Sequence, residues 1–300
     1  MTQTGCLVTL VPKAGPVGIV VDSTSVYMME DGLYKIPKAG GPGVVLDGQQ
    51  PGYEITLIGA ELFWTSWAGQ VVTCATDGSS QSVLARSQSS PFAITGDADN
   101  LYWTNEGTSD AGYEDGAIMK LSRQGGTPIA LARNQSTPFA IAIDSTWVYW
   151  TNQGTIENGF EDGSVMRAPL AGGPPQLLAG NQLYVSSIQV DQDWVYWARS
   201  GPNGAILKMP KDGGAPVSLA TGQSSPAPGL ALDGDRVYWT NNGRGAANWA
   251  DGAVLSVPKV GGAVKTLASS QHAANGLAID RTSVYWGDFL DAGLFKLTPK

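Results

Sequence analysis

The chain has 300 residues and a net charge of −8, with 42% hydrophobic and 15% charged residues, 39 glycines, two cysteines and one histidine. The apolar fraction excludes a disordered chain; no apolar run nears the ~18 residues of a membrane-crossing helix, and the acidic balance excludes a nucleic-acid backbone as partner. Cys6 and Cys74 are too few for a disulfide framework or a cysteine zinc site, and a lone histidine excludes His-rich metal centres.

The chain starts MTQTGCLVTLVPK, without the basic start and long apolar stretch of a secretory leader. That leaves a cytoplasmic protein or an exported one whose leader is not part of this chain. The Gly-, Asn-, Gln-, Ser- and Thr-rich, Lys-poor composition favours the second, an extracytoplasmic bacterial origin. A V-Y-W tripeptide or close variant then recurs seven times. It ends at Met28, Trp64, Trp103, Trp150, Trp197, Trp239 and Trp286, at spacings of 36 to 47 residues. Six residues ahead of each lies Asp22, Ile58, Asp97, Asp144, Asp191, Asp233 or Asp280, so only Ile58 breaks an aspartate column. Each unit reads as four short strands. In the fourth unit these are 139–144, 147–152, 163–169 and 175–179, rich in β-branched and aromatic residues and bounded by turn signals. Asp plus two residues joins the first two strands. A Gly-Gly turn, with φ > 0 at no steric cost, joins the last two. No segment sustains a 3.6-residue apolar period, so almost no helix is expected.

Units of this length are four-stranded meanders that cannot cover both sheet faces alone. They specify an all-β, seven-bladed propeller of antiparallel blades, expected to occupy 1–300 as one domain. The last unit ends after its third strand. The segment GCLVTLV (5–11) aligns with GAPVSLA (214–220), an outer strand. Residues 5–11 are therefore expected to complete the C-terminal blade, 276–299, and close the ring.

The pattern P-x-A-I-A-x-D followed by V-Y-W-T-N resembles the YWTD propellers of lipoprotein-receptor ectodomains. It is also similar to NHL-type propellers and, more distantly, to the virginiamycin B lyase group; its flavour is that of bacterial YWTN-repeat propellers. The likeness covers essentially the whole chain and implies the fold. The fourth motif residue stands here as Asn105, Asn152 and Asn241, with Asp288 in YWGD, and the receptors carry six blades rather than seven. Membership of the lyase group would imply a histidine and a metal-binding carboxylate on one propeller face. That motif does not align residue by residue, so no role is carried over.

The aspartates are expected to cap hairpins through Asx turns, and the Trp column to pack between blades, with Met28 as a flexible substitute. A glutamine column, Gln50, Gln88, Gln135, Gln182, Gln223 and Gln271, is expected to bond neighbouring backbone. Both cysteines are expected to be free and buried.

Function is expected where the repeats differ. Three long loops, 105–116, 152–163 and 241–252, carry Tyr113, Phe160 and Trp249 at matching places. With Asn105, Asn152 and Asn241 these form a candidate ligand platform, the alternative being that each aromatic tucks its loop onto its own blade. Four residues before the aspartate column stand Gly18, Glu54, Ala93, Ala140, Ser187, Gly229 and Gly276. A carboxylate there is costly unless solvated, paired or metal-bound. Glu54, with Gln189, Asn275 and His272, is thus a candidate channel-mouth site, and Glu54 a candidate ligand for a divalent cation, Ca or Mg. Two functions follow. The favoured one is a monomeric, non-catalytic binding propeller for a glycan, peptide or small molecule, with no cofactor required. The alternative is a metal-assisted lyase or hydrolase using Glu54 and His272.

Overall fold

The aspartate column folds the first corner of each blade. In the fourth, Asp144 Oδ1 accepts the N–H groups of Thr146 and Trp147, both at 2.8 Å, and Oδ2 accepts the Tyr149 hydroxyl at 2.9 Å. Asp22, Asp97, Asp191, Asp233 and Asp280 repeat this set. These are the expected Asx turns, each locked further by a tyrosine from the same blade.

A computed structural model describes residues 6–12, 15–201, 203–244, 248–290 and 293–300. Residues 1–5, which include the start weighed as a leader and the first residue of the expected closing segment, lie outside the described residues. So do 245–247 of the third long loop. The strands form seven four-stranded antiparallel sheets, six of them sequential meanders. The fourth is typical: Pro138–Ile143, Trp147–Asn152, Gly163–Pro169 and Gln176–Gln182. One helical turn, Ser109–Ala111, occurs among the described residues, and no helix among them is long and apolar enough to cross a membrane.

The seventh sheet closes the ring as expected. Cys6–Pro12 pairs antiparallel with Gly293–Thr298, from Cys6 opposite Thr298 to Pro12 opposite Gly293, with a bulge between Thr9 and Val11. Leu10 faces inward on this strand, whereas Cys6 is exposed, not buried as expected. Residues 6–9 are all exposed along the outer edge of the blade, and the chain turns inward only at the bulge that holds Leu10. Cys74 is free and buried.

Apolar clusters lie between adjacent blades. Trp197 of the fifth blade packs against Tyr149 and Val165 of the fourth, and Met28 holds the matching place between the seventh and first. Six tryptophans are fully buried. Five donate Nε1–H to the glutamine column, from Trp103 to Gln88 through Trp286 to Gln271, at 2.8–3.2 Å. These glutamines in turn donate to the carbonyl two residues earlier, so the column bonds backbone as expected and an indole besides. The first is the exception. Gln50 stands one or two residues closer to its tryptophan than the others do, and Gln50 Oε1 and Trp64 Nε1 are both buried without a partner.

Basic residues gather at the aspartate corners. Lys211 lies 2.7 Å from Asp144, Lys259 3.0 Å from Asp191, Lys300 2.8 Å from Asp233 and Lys38 2.6 Å from Asp280, each reaching back to the preceding blade. Where Ile58 replaces the aspartate, Arg123 pairs with Glu61 instead. Burial opposes ionisation of Asp144, but the Lys211 ion pair and the Thr146 and Trp147 N–H groups outweigh it and hold the carboxyl below its ordinary range.

Candidate functional site

The Asx hairpins and diglycine turns make the lower face. The upper face carries the loops between second and third strands and the loops between blades. Tyr113, Phe160 and Trp249 occupy equivalent upper positions, all left-handed at φ +61°, +61° and +60°. That conformation is uncommon outside glycine. Here hydrogen bonds on both sides hold it. Each N–H bonds back within its loop, to Thr108, Thr155 or Arg244, and each carbonyl accepts an N–H from the following blade, from Thr137, Tyr184 or Ala273. The Phe160 ring meets Tyr184 at 5.6 Å. Trp249 is 39% exposed and borders a hollow of about 370 Å³ with Asn242, Ala273, Asn275, Phe289 and Leu290. The loops therefore lean on the next blade at their aromatic residue, while their first residues bond the entry of their own blade, as in Gln153 N–H to the Thr137 carbonyl.

The three asparagines expected on this platform lie beneath it. Asn105, Asn152 and Asn241 are only 6–7% exposed. Their Nδ2 groups donate to Gln88, Gln135 and Gln223 at 3.0–3.2 Å, at the same Oε1 that takes the tryptophan N–H. They belong to the joints between blades, because the third strand and the loop above bury the end of the Y-W-T-N strand.

The inner strands surround a channel cavity of about 240 Å³, lined by Glu54, Phe92, Phe139, Ser187 and Gln189 among others. The small-residue column is small for a reason beyond convergence on the axis. A Cβ on Gly18 would stand 2.8 Å from the Tyr53 carbonyl oxygen, so this position abuts the next blade's inner strand. Glu54 occupies that tight place. Burial pushes its carboxyl up to about 8, only partly offset by the N–H of Ile55. The cavity holds Gln189 but neither Asn275 nor His272. Asn275 accepts the Gly276 N–H and borders the Trp249 hollow. His272 lies in the loop before the last blade, its N–H donating to Asp288 Oδ2 at 2.6 Å and its carbonyl accepting from Leu290.

One feature escaped the sequence reading. Immediately before the small column stand Tyr53, Phe92 and Phe139 in three consecutive blades. Their rings form a row: Phe139 to Phe92 at 4.2 Å, Phe92 to Tyr53 at 4.9 Å, then Tyr53 to the half-exposed Trp67 at 5.8 Å. Phe92 and Phe139 line the cavity, and Tyr53 and Trp67 continue the row outside it. Glu106 flanks it: burial raises the Tyr53 hydroxyl, and Glu106 and Tyr113 raise it further. Burial likewise lifts the Glu106 carboxyl to about 7. For a divalent cation the donors are sparse. The cavity offers one carboxylate among hydroxyls and an amide, and no group of three or more His, Cys, Asp or Glu placed to hold a metal occurs among the described residues.

No protein-family model matches the chain, and no curated protein matches it in sequence. Solved structures do share its shape. Virginiamycin B lyase from Staphylococcus aureus superposes with a TM-score of 0.75 at 15% identity, over 99% of both chains. The same lyase has also been solved with quinupristin as a catalytically inactive His-to-Ala variant. A gluconolactonase from Xanthomonas campestris gives 0.60 at 14% identity over 99% of this chain and 90% of that one. A chain of the nidogen–laminin complex gives 0.59 at 18% over 76% and 84%. At such identities the likeness shows the propeller fold alone, and that fold hosts lyase, lactonase and binding proteins.

Proposed function

We propose that this propeller is a binding module that takes a glycan, peptide or small molecule across its upper face, from the aromatic row into the channel. The observation that carries this reading is the row Trp67–Tyr53–Phe92–Phe139, whose Phe92 and Phe139 line a preformed cavity with Glu54 in its wall. Concave sites with aromatic walls and a few convergent polar groups are the usual form of ligand pockets. Rigid aromatic side chains supply contact area at small entropic cost.

The metal-assisted lyase or hydrolase reading draws on the staphylococcal lyase, whose His-to-Ala variant is inactive. It asks Glu54 and His272 to act together. The cavity that includes Glu54 is not lined by His272, and this favours binding over that chemistry.

A thermal-shift screen of glycans, short peptides and metabolites tests the reading. A compound that binds only the native state raises the melting midpoint. The expected result is at least one such compound, with the shift abolished in Phe92→Ala and retained in His272→Ala. A ligand whose effect survives Phe92→Ala, or vanishes with His272→Ala, contradicts the proposal.

A further inference from the structure

Resting on that binding reading, we propose that the site selects small organic ammonium compounds, held between the Tyr53–Phe92–Phe139 row and the carboxyl groups of Glu54 and Glu106. Three observations lead there.

The first is where the charges lie. The lysines at the aspartate corners are spent on ion pairs at the lower face, and Lys35, Lys120, Lys208 and Lys296 donate to carbonyls of the following blade. The loops between second and third strands on the upper face carry ten carboxylates and a single base, Arg244, among the described residues. A concave surface so charged gathers cations and repels anions.

The second is where the two carboxyl groups stand. Six blades place Gly, Ala or Ser at the Glu54 position. The loops matching that of Glu106 begin with neutral Gln153 and Asn242. Both glutamates are only partly exposed, and no basic side chain is hydrogen-bonded or ion-paired to either among the described residues. A carboxylate so placed forfeits part of its hydration, and a cationic ligand restores favourable interaction with it.

The third is the wall beside them. Aromatic faces attract ammonium groups through their quadrupole, most strongly where water is excluded. An inorganic divalent ion needs several close oxygen donors, whereas an alkylammonium is large, weakly hydrated and satisfied by aromatic faces with one or two carboxylates. A cavity of about 240 Å³ is sized for a small molecule.

Choline and its uncharged isostere 3,3-dimethylbutan-1-ol separate charge from shape. Both are titrated calorimetrically at equal ionic strength and at about pH 8.5, where carboxyls are ionised even when raised. Choline is expected to bind at least about tenfold more tightly than the alcohol. Glu54→Gln and Glu106→Gln should each erase most of that preference while leaving the alcohol unchanged, and Phe92→Ala should weaken both ligands. Equal affinity for the two overturns the ammonium proposal and leaves the binding reading standing, since the site then recognises shape. No detectable choline binding in the millimolar range also overturns it, and the binding reading is then decided separately by the compound screen.

Discussion

Removing residues 1–12 is expected to destabilise the protein by at least about 5 kcal/mol and to make it aggregate. The loss has three parts. The ladder between Cys6–Pro12 and Gly293–Thr298 disappears, at about 1 kcal/mol for each net hydrogen bond. Leu10 leaves a cluster with Ile19, Val26, Tyr285 and Leu294, worth about 2 kcal/mol for one buried leucine. The third strand of the last blade becomes a bare edge, a template for pairing with another chain. The chain also loses its covalent tie between last and first blades, so the ring can open there. Denaturant unfolding and light scattering give the readout. A Leu10→Asp variant, which keeps the backbone ladder, should show an intermediate loss. A truncated chain that melts with the parent and stays monodisperse would show that the first blade and the last hold each other without the strand.

Glu54→Gln is expected to stabilise the protein at alkaline pH and to leave it unchanged at acid pH. Burial raises the Glu54 carboxyl in the folded chain to about 8, well above its value in the unfolded chain. Between those two values the folded state holds more protons, so stability must fall as pH rises through the window. Below the unfolded value both states are protonated and the penalty is absent; above about 8 it is complete. Each unit of separation is worth about 1.4 kcal/mol. Channel water softens the penalty, so a gain of about 2 kcal/mol for Glu54→Gln near pH 8.5 is expected. Glu106 contributes in the same direction and is present in both proteins, so the difference isolates Glu54. Unfolding curves at several pH values measure it. Parallel profiles for parent and variant would mean that the Glu54 carboxyl is fully hydrated, and the polar end of the site would lose its basis.

The fold was legible because the repeat states much the same local chemistry in each of its seven units. The aspartate column contains its own hairpin: acceptor, N–H donors and tyrosine lie within five residues. The tryptophans repeat at one register, so their burial could be inferred without tertiary knowledge. Contacts between blades were harder to read. Lys211 meets Asp144 across 67 residues, and only the ring brings them together. A signal was nonetheless present in the recurring Pro-Lys pairs that end third strands, at Lys38, Lys211, Lys259 and Lys300. The asparagines after Y-W-T read as surface residues because the motif sits next to variable loops. Sequence does not reveal that a glutamine at or just past the end of the preceding blade's fourth strand already claims them. The aromatic row was hidden for a related reason. Tyr53, Phe92 and Phe139 read as ordinary apolar strand residues, and only the neighbouring of their blades makes a surface of them. Glu54 stood out because a repeat makes an exception visible. Its separation from His272 depends on where the two blades lie in the ring.

The most direct measurement of where this protein binds is a crystallographic fragment screen, because it locates ligands without assuming what they are. The account predicts that fragments concentrate along Phe92 and Phe139 and in the cavity beside Glu54, with amine-bearing fragments over-represented. Clustering instead in the hollow bounded by Trp249, Phe289 and Leu290, or on the lower face among the lysine–aspartate corners, would contradict it.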